Sequence, residues 1–261
     1  MNIHGTEVRQ RVLTLLRDGA QNADLARQFN IPIGTIGYWK HRDRAERGEC
    51  PGRRPSPCPR CDGVLNSPAY AYLLGLYLGD GHIIQNRAMR SPSLSITCDE
   101  SHPGLMDACE DAMRSVLPGN SVCRVRRKGC RELKVYSMHL WCLFPQHGPG
   151  KKHERTIALE AWQQAIVDAH PWEFIRGLIH SDGCRITNWT TRMVGGERKR
   201  YEYPRYFFTN VSDDIRRLYT DTLDKLGIEW THCTRKGHAY NISVARKASV
   251  ALMDVHVGPK Y

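Results

Sequence analysis

The sequence predicts an α+β protein, in which a small all-α unit precedes a duplicated αββαββα domain. Three observations predict it. Apolar residues recur at helical spacing in three short runs before residue 44. Beyond residue 66, helical and strand-like runs follow one another in the same order twice, with a period of about 100 residues. Each round opens on an apolar helix that ends in Asp-Gly, at Asp80-Gly81 and again at Asp182-Gly183. The chain thus reads as a helical unit (1–44), a linker (45–66), a first repeat (67–150), a connection (151–170) and a second repeat (171–261).

The helical unit comes first. Val8, Val12, Leu15 and Leu16 form a stripe that Gly19 stops. Asn22 caps a short helix carrying Leu25, Ala26 and Phe29, and a third helix begins near Ile33. Two short helices joined by a few residues, with a small Ala26 at the crossing, make a helix-turn-helix arrangement. The third helix is expected to turn Thr35, Tyr38, Lys40, His41 and Arg42 outward, side chains suited to base edges and phosphates.

The linker, "AERGECPGRRPSPCPRCDGVLN", keeps neither helical nor strand periodicity. Cys58-Pro59-Arg60-Cys61 has the knuckle spacing that turns two thiolates toward one metal. Cys50 is the third candidate and His41 the fourth for a structural Zn²⁺. The remaining seven cysteines (Cys98, Cys109, Cys123, Cys130, Cys142, Cys184 and Cys233) are scattered singly and read as buried, reduced thiols of a cytoplasmic, nucleoid-associated protein.

In the first repeat, "HIIQ" and "SLSITCD" read as strands, "PGLMDACEDAMRSVL" as a helix, "SVCRVRRKG" and "RELKVYS" as a hairpin, and "LWCLF" as a short helix. The second repeat has "CRITNW" and "YPRYFFTNVS", then the helix "DDIRRLYTDTLDKLG", the hairpin in "EWTHCTRKGHAYNISVA" and the helix "KASVALMDV". The hairpins turn at Lys128-Gly129 and Lys236-Gly237. One amphipathic helix lies in the connection.

In the opening helices, Gly75 and Gly79 lie four apart, as do Gly177 and Ser181. Small residues at that spacing let two helix backbones approach closely. If these faces pack together, Asp80 meets Asp182 at two helix C-termini, where negative charge is already present. A hard divalent cation, Mg²⁺ or Mn²⁺, is the expected compensation.

Charge points to the partner. The net charge is +11, from 38 basic and 27 acidic side chains among 261 residues. Arginine outnumbers lysine 28 to 10, which suits bidentate phosphate and guanine contacts. Double-stranded DNA is the expected partner. Without a long apolar run, no membrane is expected, nor is a small-molecule substrate.

"LLGLYLGDG" and "IRGLIHSDG" resemble the two signature motifs of the LAGLIDADG homing endonucleases. The resemblance covers residues 67–261 and implies a monomeric, pseudo-twofold saddle of two four-stranded sheets over the DNA major groove. It implies that Asp80 and Asp182 bind catalytic metal at the scissile phosphates, with the carbonyls of Gly79 and Ser181 as further ligands. A lysine near the attacking water is implied after each repeat: Lys151 or Lys152 in "HGPGKK", and Lys260 in "HVGPK". A polar residue after each second strand is implied as well, at His102 in one copy and Asp213 or Asp214 in the other. Base contacts are expected from Arg124, Arg126, Arg127, Lys134, Arg185, Arg205, Arg235 and Lys236, with about half of these on the wrong face by strand alternation.

The implied activity is site-specific, metal-dependent hydrolysis of both DNA strands. A second reading is a sequence-specific transcriptional regulator derived from such a nuclease. Both acids are present, and that favours cleavage.

Overall fold

The computed structural model describes residues 5–49, 57–85, 91–235 and 237–261. Two compact units divide the chain, Met1–Ser56 and Pro57–Tyr261.

In the first unit, α1 (Thr6–Arg17), α2 (Asn22–Phe29) and α3 (Ile33–Glu46) close around Val12, Leu16, Leu25, Ile31, Ile36 and Trp39. Asn30 ends α2 at φ 51°, a left-handed conformation that its short polar side chain tolerates. The buried Asp43 holds α3 to α1 through Arg17, with Arg47 at 3.0 Å on its other side.

The second unit contains two copies of one topology. The first copy runs α4 (Ser67–Leu78), β1 (Gly81–Ile84), β2 (Ser93–Asp99), α5 (Pro103–Val116), β3 (Val122–Arg127), β4 (Cys130–Tyr136) and α6 (Leu140–Leu143). After a 3₁₀ turn at Lys152–Glu154, the helix α7 (Ala161–Ala169) leads into the second copy. That copy runs α8 (Pro171–Asp182), β5 (Gly183–Val194), β6 (Glu197–Thr209), α9 (Asp213–Lys225), β7 (Thr231–Arg235), β8 (His238–Val244) and α10 (Lys247–His256). The sheets have matching antiparallel orders, β1-β2-β4-β3 and β5-β6-β8-β7.

The sequence sets these helices locally. Asn66 caps α4 by accepting from the Ala69 amide at 3.1 Å, and Pro68 follows near its start. Pro171 opens α8 in the same way. Residues 70–78 are buried without a break, so α4 has no solvent face and sits in the core against α8. A Cβ on Gly177 would lie 2.9 Å from Gly75 Cα and 3.0 Å from the Leu76 nitrogen. Only glycine permits that approach. Gly177→Ala is therefore expected to destabilise the unit by about 1–3 kcal/mol or more, read as a shifted urea midpoint. Gly119→Ala, where a Cβ meets nothing within 4 Å, is the matched control.

One hairpin exceeds its expected length. "CRITNW" reads as a short strand, but β5 and β6 pair in register from Gly183↔Phe208 out to Val194↔Glu197. Because β8 pairs only with Tyr206–Thr209, the distal part is a two-stranded ribbon. It turns at Gly195-Gly196, both at positive φ (61° and 84°), as a two-residue hairpin requires. Its side chains are mostly exposed on both faces, so no alternation marks it in the sequence.

Candidate active site

The two opening helices end side by side. α4 stops at Leu78, leaving Gly79 and Asp80 to lead into β1, whereas α8 runs through Asp182 before β5 begins. A Cβ on Gly79 would collide with the Ser181 side chain and stand 3.2 Å from Asp182 Cγ. Ser181 itself turns its hydroxyl back to donate to the Gly177 and Leu178 carbonyls, each at 3.0 Å. The glycine after each acid is also a packing requirement. A Cβ on Gly81 would lie 2.5 Å from Tyr77 Cα, and one on Gly183 would lie 2.7 Å from Ile179 Cα. Neither adopts a positive φ. Each strand thus leaves tight against its own helix, which sends both carboxylates to the same end.

Two lysines meet the acids there. Lys152 Nζ donates to the Leu78 carbonyl at 2.9 Å and also to the Tyr77 and Gly79 carbonyls. Lys260 Nζ donates to the Ser181 carbonyl at 2.7 Å. Each helix C-terminus thereby receives an ammonium group, the favourable partner for that end of a helix dipole. The sequence left Lys151 and Lys152 open. Lys152 reaches the site, while Lys151 is exposed and pairs with Glu154 at 3.4 Å.

Burial dominates the electrostatics. It raises the Asp80 carboxyl, against the pull of Lys260 and Lys152. Burial and then the Asp80 charge push Asp182 up to about 6, opposed by Asn210 and both lysines. Burial also lowers Lys152 to about 8, opposed by Asp182 and Asp80. With both acids and both lysines ionised, the cluster is neutral in net charge.

Three polar residues at this end escaped the sequence reading. Asn210, just past β6, donates through Nδ2 to Asp182 Oδ2 at 2.5 Å. Its Oδ1 accepts from the Ser212 amide at 2.8 Å, which fixes the side chain. Asp213 instead pairs with Arg216, and Asp214 accepts from the Ile157 amide at 2.9 Å, anchoring the connection. His102 serves as the N-terminal flank of α5. His82 and His147 both lie near the Lys152 ammonium, and burial lowers the pKa of each. The only sequence signal for His82 is its place directly after Asp80-Gly81.

Strand register sorts the basic residues. Leu133 and Val135 point into the core, so their partners Arg124 and Val122 share that face. Arg124 binds Glu110 and Asp107 on α5, both at 2.6 Å. Arg126, two residues on, lies on that face too, opposite Arg131. Arg185, opposite the buried Tyr206, is clamped to Asp254 on α10 at 2.6 Å. Arg124 and Arg185 are thus turned toward the helices because strand alternation puts them in phase with core residues, while Arg126 shares that phase but stays exposed, 3.9 Å from Glu100. The outer face carries a row formed by His82, Ser95, Lys134 and Cys123, with Arg127 two rows away. Arg205 lies on the outer face of the second sheet, its guanidinium 4.9 Å from the Phe207 ring. Arg235 closes β7, and Lys236 lies outside the described residues.

On α3, Tyr38, His41 and Arg42 are exposed and Thr35 and Lys40 half-buried. Cys142 of α6 lies beside Cys58 and Cys61. Cys50 lies outside the described residues, and His41 belongs to the first unit.

No family model matches the chain, and no curated protein matches it. Among solved structures it is similar to mesophilic variants of the homing endonuclease I-DmoI, at 16% identity over 73% of this chain and 96% of that one, with a TM-score of 0.48. I-DmoI in complex with DNA and Ca matches at 18% identity over 73% and 89% of the two chains, TM-score 0.48. The N-terminal LAGLIDADG domain of DUF199/WhiA matches at 12% identity over 74% and 83%, TM-score 0.45.

Proposed function

We propose that the second unit is a metal-dependent, site-specific endonuclease for double-stranded DNA. The observation that carries this reading is the duplicated helix end, with two acids side by side and each adjacent carbonyl bound by a lysine ammonium. The donor set is all oxygen: the carboxylates of Asp80 and Asp182 and the carbonyls of Gly79 and Ser181. That set fits a hard cation, and the two ammonium groups already show that these carbonyls accept a positive partner. Bound Mg²⁺ or Mn²⁺ would lower the pKa of a water and neutralise the leaving oxyanion.

The chain's own groups supply the rest. Asn210 orients the Asp182 carboxylate, and Lys152 and Lys260 put positive charge where a scissile phosphate would develop negative charge. The pseudo-twofold repeat offers one acid to each strand. Lys134, Arg127 and Arg205 on the outer sheet faces, with Arg192 and Lys199 on the ribbon, are suited to phosphates and base edges. The first unit would add a second contact through Thr35, Tyr38, Lys40 and Arg42, as a helix-turn-helix does.

A regulator that binds DNA without cutting it is the second reading, favoured by one observation: the Gly79 and Ser181 carbonyls, which would ligate the metal, accept from Lys152 and Lys260. The deciding experiment offers the purified protein DNA flanking its own gene, with Mg²⁺, Mn²⁺ or Ca²⁺. A Mg²⁺-dependent cut in both strands is the expected result. Tight, sequence-specific binding with no cut in Mg²⁺ or Mn²⁺ makes the regulator the correct reading. In the same assay, Arg205→Ala should weaken binding and reduce the salt slope by about 1. Arg124→Ala should leave binding unchanged.

A further inference from the structure

We propose that Cys58, Cys61 and Cys142 bind a zinc ion that staples the start of the second unit to α6. Their Sγ atoms lie within 4.8 Å of one another, and the Cys61–Cys142 separation is 3.5 Å. Three thiolates on a tetrahedral zinc stand roughly 3.8 Å apart, from a Zn–S distance of about 2.3 Å. The triad is thus close to the required spacing before any ion is placed in it. Sulfur donors select a soft, thiophilic ion over the hard cation suited to the aspartates.

Two separate elements bring the thiols together. The Cys58–Cys61 knuckle is closed by the Asp62 amide donating to the Cys58 carbonyl at 2.9 Å and the Val64 amide to the Pro59 carbonyl at 3.1 Å. Cys142 lies on α6, which is fixed in the core by buried Leu140 and Leu143 and by Tyr70 donating to the Leu143 carbonyl at 2.5 Å. Of residues 57–64 only Pro59 is buried, and Val64 is exposed, so a metal would supply what packing does not.

Arg60 completes the charge balance. Its Nη1 lies 3.3 Å from Cys142 Sγ, and the guanidinium stacks 4.6 Å above the Trp162 ring. Three thiolates with Zn²⁺ carry one net negative charge, and Arg60 cancels it. Among the described residues the triad supplies three of the four ligands of a tetrahedral site.

The test is elemental analysis of the full chain, purified without a metal-affinity step. About one zinc per chain is expected, falling at least tenfold in Cys142→Ser and in Cys58→Ser and unchanged in Cys130→Ser. Wild-type protein without zinc, or Cys142→Ser that keeps it all, overturns the proposal. So does a Cys58–Cys61 disulfide found by thiol titration of freshly purified protein. Because a serine variant can fail through misfolding, wild-type protein is also reconstituted with Co²⁺. Thiolate-to-cobalt charge-transfer absorption that Zn²⁺ abolishes supports the site, and its absence refutes it.

Discussion

Replacing Asp182 with asparagine is expected to abolish cleavage and, in the metal-free protein, to raise stability at neutral pH. The two effects share one cause. Burial and the neighbouring Asp80 charge hold the Asp182 carboxyl at about 6, above its ordinary value of 3.8. A group raised in this way favours the fold while protonated, below about pH 4, and that contribution is lost as pH rises through 6. Above pH 6 the ionised carboxylate therefore costs the fold roughly 2–3 kcal/mol, at 1.36 kcal/mol per pKa unit. Asparagine removes the charge and keeps an oxygen that can still accept from Asn210. Urea unfolding should show Asp182→Asn more stable than wild type at pH 8 and indistinguishable from it at pH 4. Equal midpoints at pH 8 would sink the electrostatic account. Millimolar Mg²⁺ should narrow the gap, because an ion that binds the native state stabilises only the wild type. Cleavage by wild type at limiting Mg²⁺ should fall as pH drops through 6, when the carboxyl ceases to be a ligand.

Much of this site was legible in the sequence, for a definite reason. Gly75, Gly177 and the two Asp-Gly pairs recur with the repeat, and a repeated exception to ordinary helix composition signals a shared geometric demand. The backbone contact between Gly75 and Gly177 is that demand. What was not legible depends on partners distant in the chain. Asn210 meets Asp182 only because β6 pairs with β5 through Gly183↔Phe208, which brings the end of β6 to the end of α8; without that register Asp213 and Asp214 are equally plausible from the sequence. Cys142 looked like one of seven scattered thiols until α6 carried it to the Cys58–Cys61 knuckle. The phase of β3 was in principle readable, since Arg124 pairs with Leu133 and must share its face. That inference needs the register, which the hairpin turn at Gly129 alone did not fix. The long ribbon of β5 and β6 left no alternation to read, because neither of its faces is mostly buried.

Lys152→Met is expected to do the reverse of Asp182→Asn in stability while sharing its loss of cleavage. Its ammonium is the common donor to the Tyr77, Leu78 and Gly79 carbonyls, at a helix end with negative partial charge. Methionine fills similar volume but donates nothing, leaving those oxygens to whatever water can enter. Hydrogen bonds from charged donors contribute about 1.5–3 kcal/mol each. The burial that lowers Lys152 to about 8 offsets part of that gain. The net loss should therefore be about 1–3 kcal/mol in urea unfolding at pH 7. Removing the ammonium also lets the Asp182 carboxyl climb beyond 6, so the acid limb of the cleavage profile should move to higher pH in this variant. Loss of a preorganised positive group is worth about 10²–10³ in rate where charge develops in the transition state, and a decrease of that size is expected. Lys152→Arg should recover part of the stability but not the rate, because a planar guanidinium cannot converge on three carbonyls as an ammonium does. Lys151→Met, which removes an exposed pair with Glu154, should change neither quantity measurably. Equal effects from Lys151→Met and Lys152→Met would mean that both act through the general basic charge of the region, and the assignment of Lys152 to the site would fall.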